Sequence, residues 1–132
     1  MISGTTDRPK VGHVLRYVYL FTEEAAKGRE EGVKERFVVV VGLEGSRYRV
    51  AAVTTKGEGR TNVIPLPAPV AQAAGLSPDS GLVVSEYNLF TWPGFDIRPL
   101  AKTTGYIAGR LPPSFTAKII DAMTGATSVK RD

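Results

Sequence analysis

Residues 34–55 read KERFVVVVGLEGSRYRVAAVTT, which is the pattern of two adjacent strands joined by a short turn. Phe37 to Val41 is an unbroken apolar run, mostly β-branched, of the kind found in a strand covered on both faces. Leu43-Glu44-Gly45-Ser46 supplies turn chemistry, since glycine takes a positive φ without a Cβ penalty. Arg47 to Thr54 begins by alternating polar and apolar residues, then turns wholly apolar before closing on Thr54 and Thr55. Antiparallel pairing of the two strands puts Arg36, at the entry, beside Thr54 and Thr55, at the exit.

Upstream of this hairpin, His13 to Phe21 is rich in aromatic and β-branched residues and reads as a first strand. Thr22 to Lys34 is charged and broken by Gly28 and Gly32, the composition of a mobile loop rather than a packed helix. Downstream, Lys56 to Arg60 is a second charged link, and Thr61 to Leu66 a short strand that Pro65 confines to an edge or an end. Pro67 to Gly75 has the marks of a short helix with glycine placed to stop it. Leu76 to Ser80 is a turn and Gly81 to Glu86 another strand. Tyr87 to Asp96 gathers Tyr87, Phe90, Trp92 and Phe95 beside the Pro93-Gly94 turn, and Thr104 to Ala108 reads as a last strand. Leu111-Pro112-Pro113 opens a final helix in which Phe115, Ile119, Ile120 and Met123 share one face.

These elements predict a mainly β protein: a small, strongly bent antiparallel sheet or SH3-like barrel with a short mid-chain helix and a C-terminal helix, an α+β arrangement. The expected boundaries are a flexible N-terminus over residues 1–10, the barrel over 11–124 and a disordered tail over 125–132.

Composition narrows the function classes. A chain of 132 residues is one domain by length, large enough to fold without a covalent staple. There is no cysteine and only one histidine, so disulfides are excluded, a metal centre of the usual kind is disfavoured, and no cofactor is expected. No apolar run approaches the roughly 20 residues that span a bilayer, and the first residues lack the apolar core of a signal peptide. The expectation is a cytoplasmic protein with no membrane partner. A net charge of +4 favours an acidic partner, nucleic acid before membrane.

The order of landmarks resembles the MazF/PemK family of toxin endoribonucleases, whose fold is shared with the gyrase poison CcdB. Gly12-His13-Val14 holds the place of the family's opening Gly-Asp/Glu-Val/Ile. Lys34-Glu35-Arg36-Phe37 and the valines after it hold that of the Arg-Pro and aliphatic run which follow a Gly-rich charged loop. Val53-Thr54-Thr55 matches the Val/Ile-Thr-Ser/Thr strand end, Gly75-Leu76 and Ser80 the Gly-Leu and later serine, and Gly105-Tyr106-Ile107 the closing glycine before the last helix. The ordered set covers about residues 11 to 123.

The resemblance implies a metal-independent, sequence-selective endoribonuclease acting on single-stranded RNA. It works as a homodimer and is silenced by a cognate antitoxin whose acidic, flexible segment covers the basic groove. It also implies roles: Arg36 as the catalytic cation, Thr54 as a hydroxyl donor and Glu86 as the retained acid. A guanidinium suits the task because its planar fork binds two phosphate oxygens at once. His13 is the only side chain whose unperturbed pKa lies near neutrality. It joins Lys34, Arg47, Arg49, Thr55, Arg60 and Trp92 as candidates for RNA binding, the cations on backbone phosphates and the tryptophan by stacking on a base. Against these stand plainer readings: solvated arginines on a strand face, and aromatics forming a core corner. Phe37 replaces the family proline, and the second arginine expected after Glu86 is missing. A non-catalytic nucleic-acid- or protein-binding module, or a gyrase-directed poison, on the same barrel is therefore the alternative.

Overall fold

The computed structural model describes residues 8–21, 35–57, 59–92, 97–98 and 107–130. The expected loop over 22–34, which includes Lys34, the Pro93-Gly94 turn, the start of the last strand at 104–106 and both extreme ends lie outside the described residues. In chain order the elements are β1 (His13–Val18), β2 (Glu35–Glu44), β3 (Arg47–Thr54), β4 (Val63–Pro65), α1 (Ala68–Ala73), β5 (Gly81–Val83), β6 (Glu86–Thr91), β7 (Ile97–Arg98), β8 (Ile107–Arg110), α2 (Pro113–Ala122) and β9 (Thr127–Lys130).

The β2–β3 hairpin is the centre of the sheet, as its sequence predicts. β1 pairs antiparallel with β2, in the register Tyr17 to Arg36, and also with β7 and β8. On the other side, β5 pairs with the end of β3 and β6 with its beginning. The expected single strand over Gly81 to Glu86 is therefore broken at Val84-Ser85, where the chain turns from one partner register to the next. That break bends the sheet. Among the described residues every pairing is antiparallel except β6 with β9.

Residue parity decides what each face buries. Val38, Val40, Tyr48, Val50 and Ala52 join Tyr17, Tyr19, Phe90 and Trp92 in an aromatic core on one face. Val39, Val41, Ala51 and Val53 join Leu82, Ala71 of α1 and Ile119 of α2 in an aliphatic core on the other. A strand covered on both sides must be apolar at every position, which is why residues 37–41 show no alternation. Each fully buried valine contributes roughly 1.5–3 kcal/mol through apolar burial. Between Val40 and Gly42 the register shifts by one residue, so β2 carries a bulge at Val41 and its later side chains change face.

α1 ends where its glycine predicted. Gly75 adopts φ 80°, Leu76 N–H donates to Ala71 O at 2.8 Å and Gly75 N–H to Gln72 O at 3.1 Å, which satisfies two of the last carbonyls in a Schellman arrangement.

Four expectations need correcting. The first strand stops at Val18, and Leu20 bonds instead to a side chain: Leu20 N–H donates to Asn88 Oδ1 at 2.8 Å and Asn88 Nδ2 donates back to Leu20 O at 2.7 Å. The tail is not disordered over 127–130, because β9 lies alongside β6 with Val129 buried; its small polar residues hide a pairing that only the tertiary fold reveals. Lys10, placed in the flexible N-terminus by sequence, is tied to the start of β1: its N–H donates to His13 Nδ1 and His13 N–H donates to Lys10 O, both at 2.9 Å. Ile120 stays exposed on α2 while Phe115, Ile119 and Met123 pack inward.

Candidate functional site

The β2–β3 pairing runs to Val38 opposite Ala52. Two residues further on, Arg36 and Thr54 both line a cleft of about 520 Å³ that also takes in Phe21, Thr55, Lys56, Arg60, Ser77 and Ser80. The expected meeting of Arg36 with the two threonines is therefore found, and it follows from strand register alone.

Arg36 is half-buried. Its guanidinium carbon lies 4.7 Å from the centre of the Phe21 ring, a cation–π contact that holds the planar head in one orientation. Its Nε is buried without a hydrogen-bond partner among the described residues, a costly state for a charged donor group. Thr54 Oγ1 accepts a hydrogen bond from Lys56 N–H at 3.1 Å. A hydroxyl that accepts still has its own proton to give, so Thr54 can donate into the cleft. Among the described residues the lining carries the cations Arg36, Lys56 and Arg60 against one carboxylate, Glu35, and that one is engaged with Arg16 at 2.9 Å. The cleft can thus hold an anion of phosphate size by charge and by directed donors.

Behind Arg36 lies a buried polar layer. Tyr19, 1% exposed, donates its hydroxyl to Glu86 Oε1 at 3.5 Å. Burial first, then the Glu86 carboxylate, push the Tyr19 phenol far above its ordinary value, so it stays a neutral donor at any physiological pH. Asn88, fully buried, fixes the backbone of Leu20 by the two bonds already described and so fixes the position of Phe21 beneath Arg36.

The other sequence candidates lie elsewhere. Glu86 faces Tyr19 and is not part of the cleft lining, which separates it from the Arg36–Thr54 pair. His13 sits at the far end of β1, opposite Arg110, four residues along the strand from the Tyr17 that pairs with Arg36. Burial, then Arg110 and Lys10, hold its imidazole below the ordinary 6.5. Arg47 and Arg49 are at the turn end of β3, opposite Thr91 and Leu89. Arg49 Nε lies 2.7 Å from Glu44 Oε2, and its guanidinium carbon lies 5.1 Å from the centre of the Tyr87 ring. Trp92 is 6% exposed and meets Tyr48 edge-on at 6.4 Å, so it is a core residue rather than a stacking platform. Thr55 and Arg60 do line the cleft. Lys34 lies outside the described residues.

Three cleft residues went unnoticed in the sequence: Phe21, Lys56 and Ser77. Phe21 ends an aromatic strand pattern and carried a signal only in its nearness to the charged loop. Lys56 directly follows the two threonines. Ser77 sits in a turn, where serine is commonplace. Among the described residues, no group of three or more His, Asp or Glu side chains is arranged to hold a metal ion.

Comparison with known proteins yields a fold. No family model matches the chain, and no curated protein does. Two solved structures align over most of it, both of MazE–MazF from Deinococcus radiodurans. One, in crystal form II, has a TM-score of 0.55 at 15% identity and covers 87% of this chain and 90% of its own. The other, in form III, has a TM-score of 0.57 at 14% identity and covers 87% and 92%. This chain has a MazF-like fold, as the order of its landmarks implied.

Proposed function

We propose that this chain is the toxin of a type II toxin–antitoxin pair and cuts single-stranded RNA, sequence-selectively, in the cleft at the open end of the β2–β3 hairpin. The observation that carries the reading is an arginine with no carboxylate partner among the described residues, braced on an aromatic ring beside a threonine hydroxyl, in a cationic cleft on a MazF-like fold.

The chemistry is a transesterification within the RNA. The 2′-oxygen attacks the adjacent phosphorus, the bond from phosphorus to the 5′-oxygen breaks, and the products are a 2′,3′-cyclic phosphate and a 5′-hydroxyl. The 2′-hydroxyl gives up a proton and the departing 5′-oxygen takes one, so the reaction is neutral overall. Charge builds on the non-bridging oxygens as the fifth bond forms, and donors aimed at that charge lower the barrier. Arg36 would grip those oxygens through its two terminal nitrogens, and Thr54 would donate to one of them. Lys56 and Arg60 would hold the flanking phosphates. Glu86, turned to Tyr19, is left out of the proton transfers.

Two features of the family reading follow from the same charge distribution. A flexible acidic antitoxin segment would occupy the cleft by pairing with the cations that RNA would use. A cytoplasmic homodimer would present two such clefts.

The test is incubation of the purified protein with single-stranded RNA in EDTA, with 5′-hydroxyl fragments expected from the wild type and lost in Arg36→Ala. No fragments at any protein concentration would sink the reading. A non-catalytic binding module is favoured by one observation, the absence of Glu86 from the lining. It would show itself as RNA retarded on a gel but uncut, or as gyrase bound in place of RNA.

A further inference from the structure

A second cavity of about 310 Å³ adjoins the cleft, and Arg60 and Ser80 line both. Its volume is at the low end of the range for small-ligand sites. Val63 and Pro65 give it an apolar floor, Gly57, Gly59 and Gly81 give it low walls, and Asp79 is its carboxylate. The floor is closely built: a Cβ added at Gly57 would come within 2.4 Å of Val63 Cγ1, and one at Gly81 within 2.7 Å of the same atom. Asp79 is also held in place, because Ser77 Oγ donates to its Oδ1 and Ser77 itself lines the neighbouring cleft. A hydroxyl thus joins the wall of one cavity to the carboxylate of the other.

The contrast between the two cavities is chemical. The larger one is rich in cations and hydroxyls, which suits a phosphate. The smaller has an apolar floor and, among its described residues, an arginine and one oriented carboxylate, which suits an apolar-faced ring edged with N–H donors. An ionised carboxylate accepts but cannot donate, so it attracts amino groups and repels carbonyl oxygens. Unpaired RNA bases are read along such edges, with their faces packed on flat side chains.

We infer that the cavity around Val63 and Asp79 is a nucleobase pocket that selects a base carrying an exocyclic amino group, beside the phosphate gripped by Arg36. Guanine fits it best, because its ring N–H and amino group present two donors to one carboxylate. Adenine and cytosine offer the amino group alone. Uracil turns carbonyl oxygens to most of its edge and is disfavoured. Asp79 is in this sense a specificity residue, and Arg60, shared by both cavities, packs on the base or its phosphate. The inference rests on the reading of the larger cleft as a phosphate site.

The test uses the full chain and 2′-O-methylated heptamers, which cannot be cut, composed of uridine except for one central position. With guanine at that position, binding is expected about tenfold tighter than with uracil, with adenine and cytosine between them. Asp79→Asn, whose amide offers both a donor and an acceptor, should erase the ranking by bringing the affinities for the guanine and all-uridine heptamers to within about twofold of each other. Lys118→Ala, a change on exposed α2, should keep the ranking. Equal binding of all four heptamers, or a ranking that survives Asp79→Asn, overturns the pocket. Cleavage is scored separately on a long RNA. Ranked binding without cleavage would keep the pocket and reject the ribonuclease, whereas cleavage whose sites do not shift in Asp79→Asn would keep the ribonuclease and reject the pocket.

Discussion

The two ends of the β2–β3 hairpin carry the same kinds of residue and treat them in opposite ways. At the turn end, Arg49 has a counter-ion: its Nε lies 2.7 Å from Glu44 Oε2, as an ion pair without hydrogen-bond geometry, and its guanidinium lies over the Tyr87 ring. At the open end, Arg36 also lies over an aromatic ring, Phe21, and its Nε is likewise without a hydrogen bond, but no carboxylate among the described residues pairs with it. Both arginines are held in place, but among the described residues only Arg49 has a carboxylate to answer its charge. An arginine that is braced and left unanswered is prepared for an anion from outside, whereas one that is braced and neutralised is part of the scaffold.

The largest effect that would break this contrast comes from exchanging the two. On the ribonuclease reading, Arg36→Ala should lower the initial rate of RNA cleavage by about 10²–10³-fold, while Arg49→Ala stays within about threefold of the wild type. Similar losses in both variants would mean that the two ends do not differ as described.

Next in size is the support beneath each end. Neighbouring residues of β6 serve opposite faces, Tyr87 under Arg49 and Asn88 on the backbone of Leu20. Asn88→Ala leaves a buried N–H and a buried carbonyl unpaired and should cost about 2–4 kcal/mol in urea unfolding. It should also loosen Phe21 and with it Arg36. Tyr87→Ala should cost less and leave cleavage intact. Smaller again, Thr54→Val removes one donor to a charged oxygen and should slow cleavage about 10- to 100-fold with little change in the unfolding midpoint.

His13 gives the smallest effect, and it belongs to neither end of the hairpin. Its folded pKa lies below 6.5, so the unfolded chain takes up the proton first as the pH falls. The stability due to neutral His13 is complete above pH 6.5 and is lost as the pH drops through the lowered folded value. Urea midpoints at pH 7.5 and pH 5 should therefore differ slightly more for the wild type than for His13→Asn. An identical difference in both proteins would show that the imidazole is not linked to folding.

Much of the open end was legible because it depends on register. The hairpin pattern in residues 34–55 already puts Arg36 across from Thr54, and the same antiparallel logic applied to β1 would have put His13 four residues along from the Tyr17–Arg36 pair, level with the middle of β2. Glu86 was not legible in this way. Its direction depends on the break at Val84-Ser85, which sequence alone presents as one continuous strand. Nor was β9: Thr127 to Lys130 has little apolar character, and its parallel place beside β6 joins residues some forty positions apart in the chain. Trp92 shows the limit of composition, since an aromatic beside Pro-Gly fits a stacking platform and a core corner equally well until burial distinguishes them.

The bulge at Val41 has a consequence for chain length. Before it, β2 and β3 pair so that position numbers sum to 90; after it they sum to 91, as in Val40 with Val50 and then Glu44 with Arg47. The extra residue is Val41 itself, whose side chain joins the aliphatic core. Deleting it would restore the earlier count along the whole hairpin and still leave Glu44 opposite Arg47, on the face of Arg49. The insertion thus adds a buried side chain without changing which charges meet at the turn.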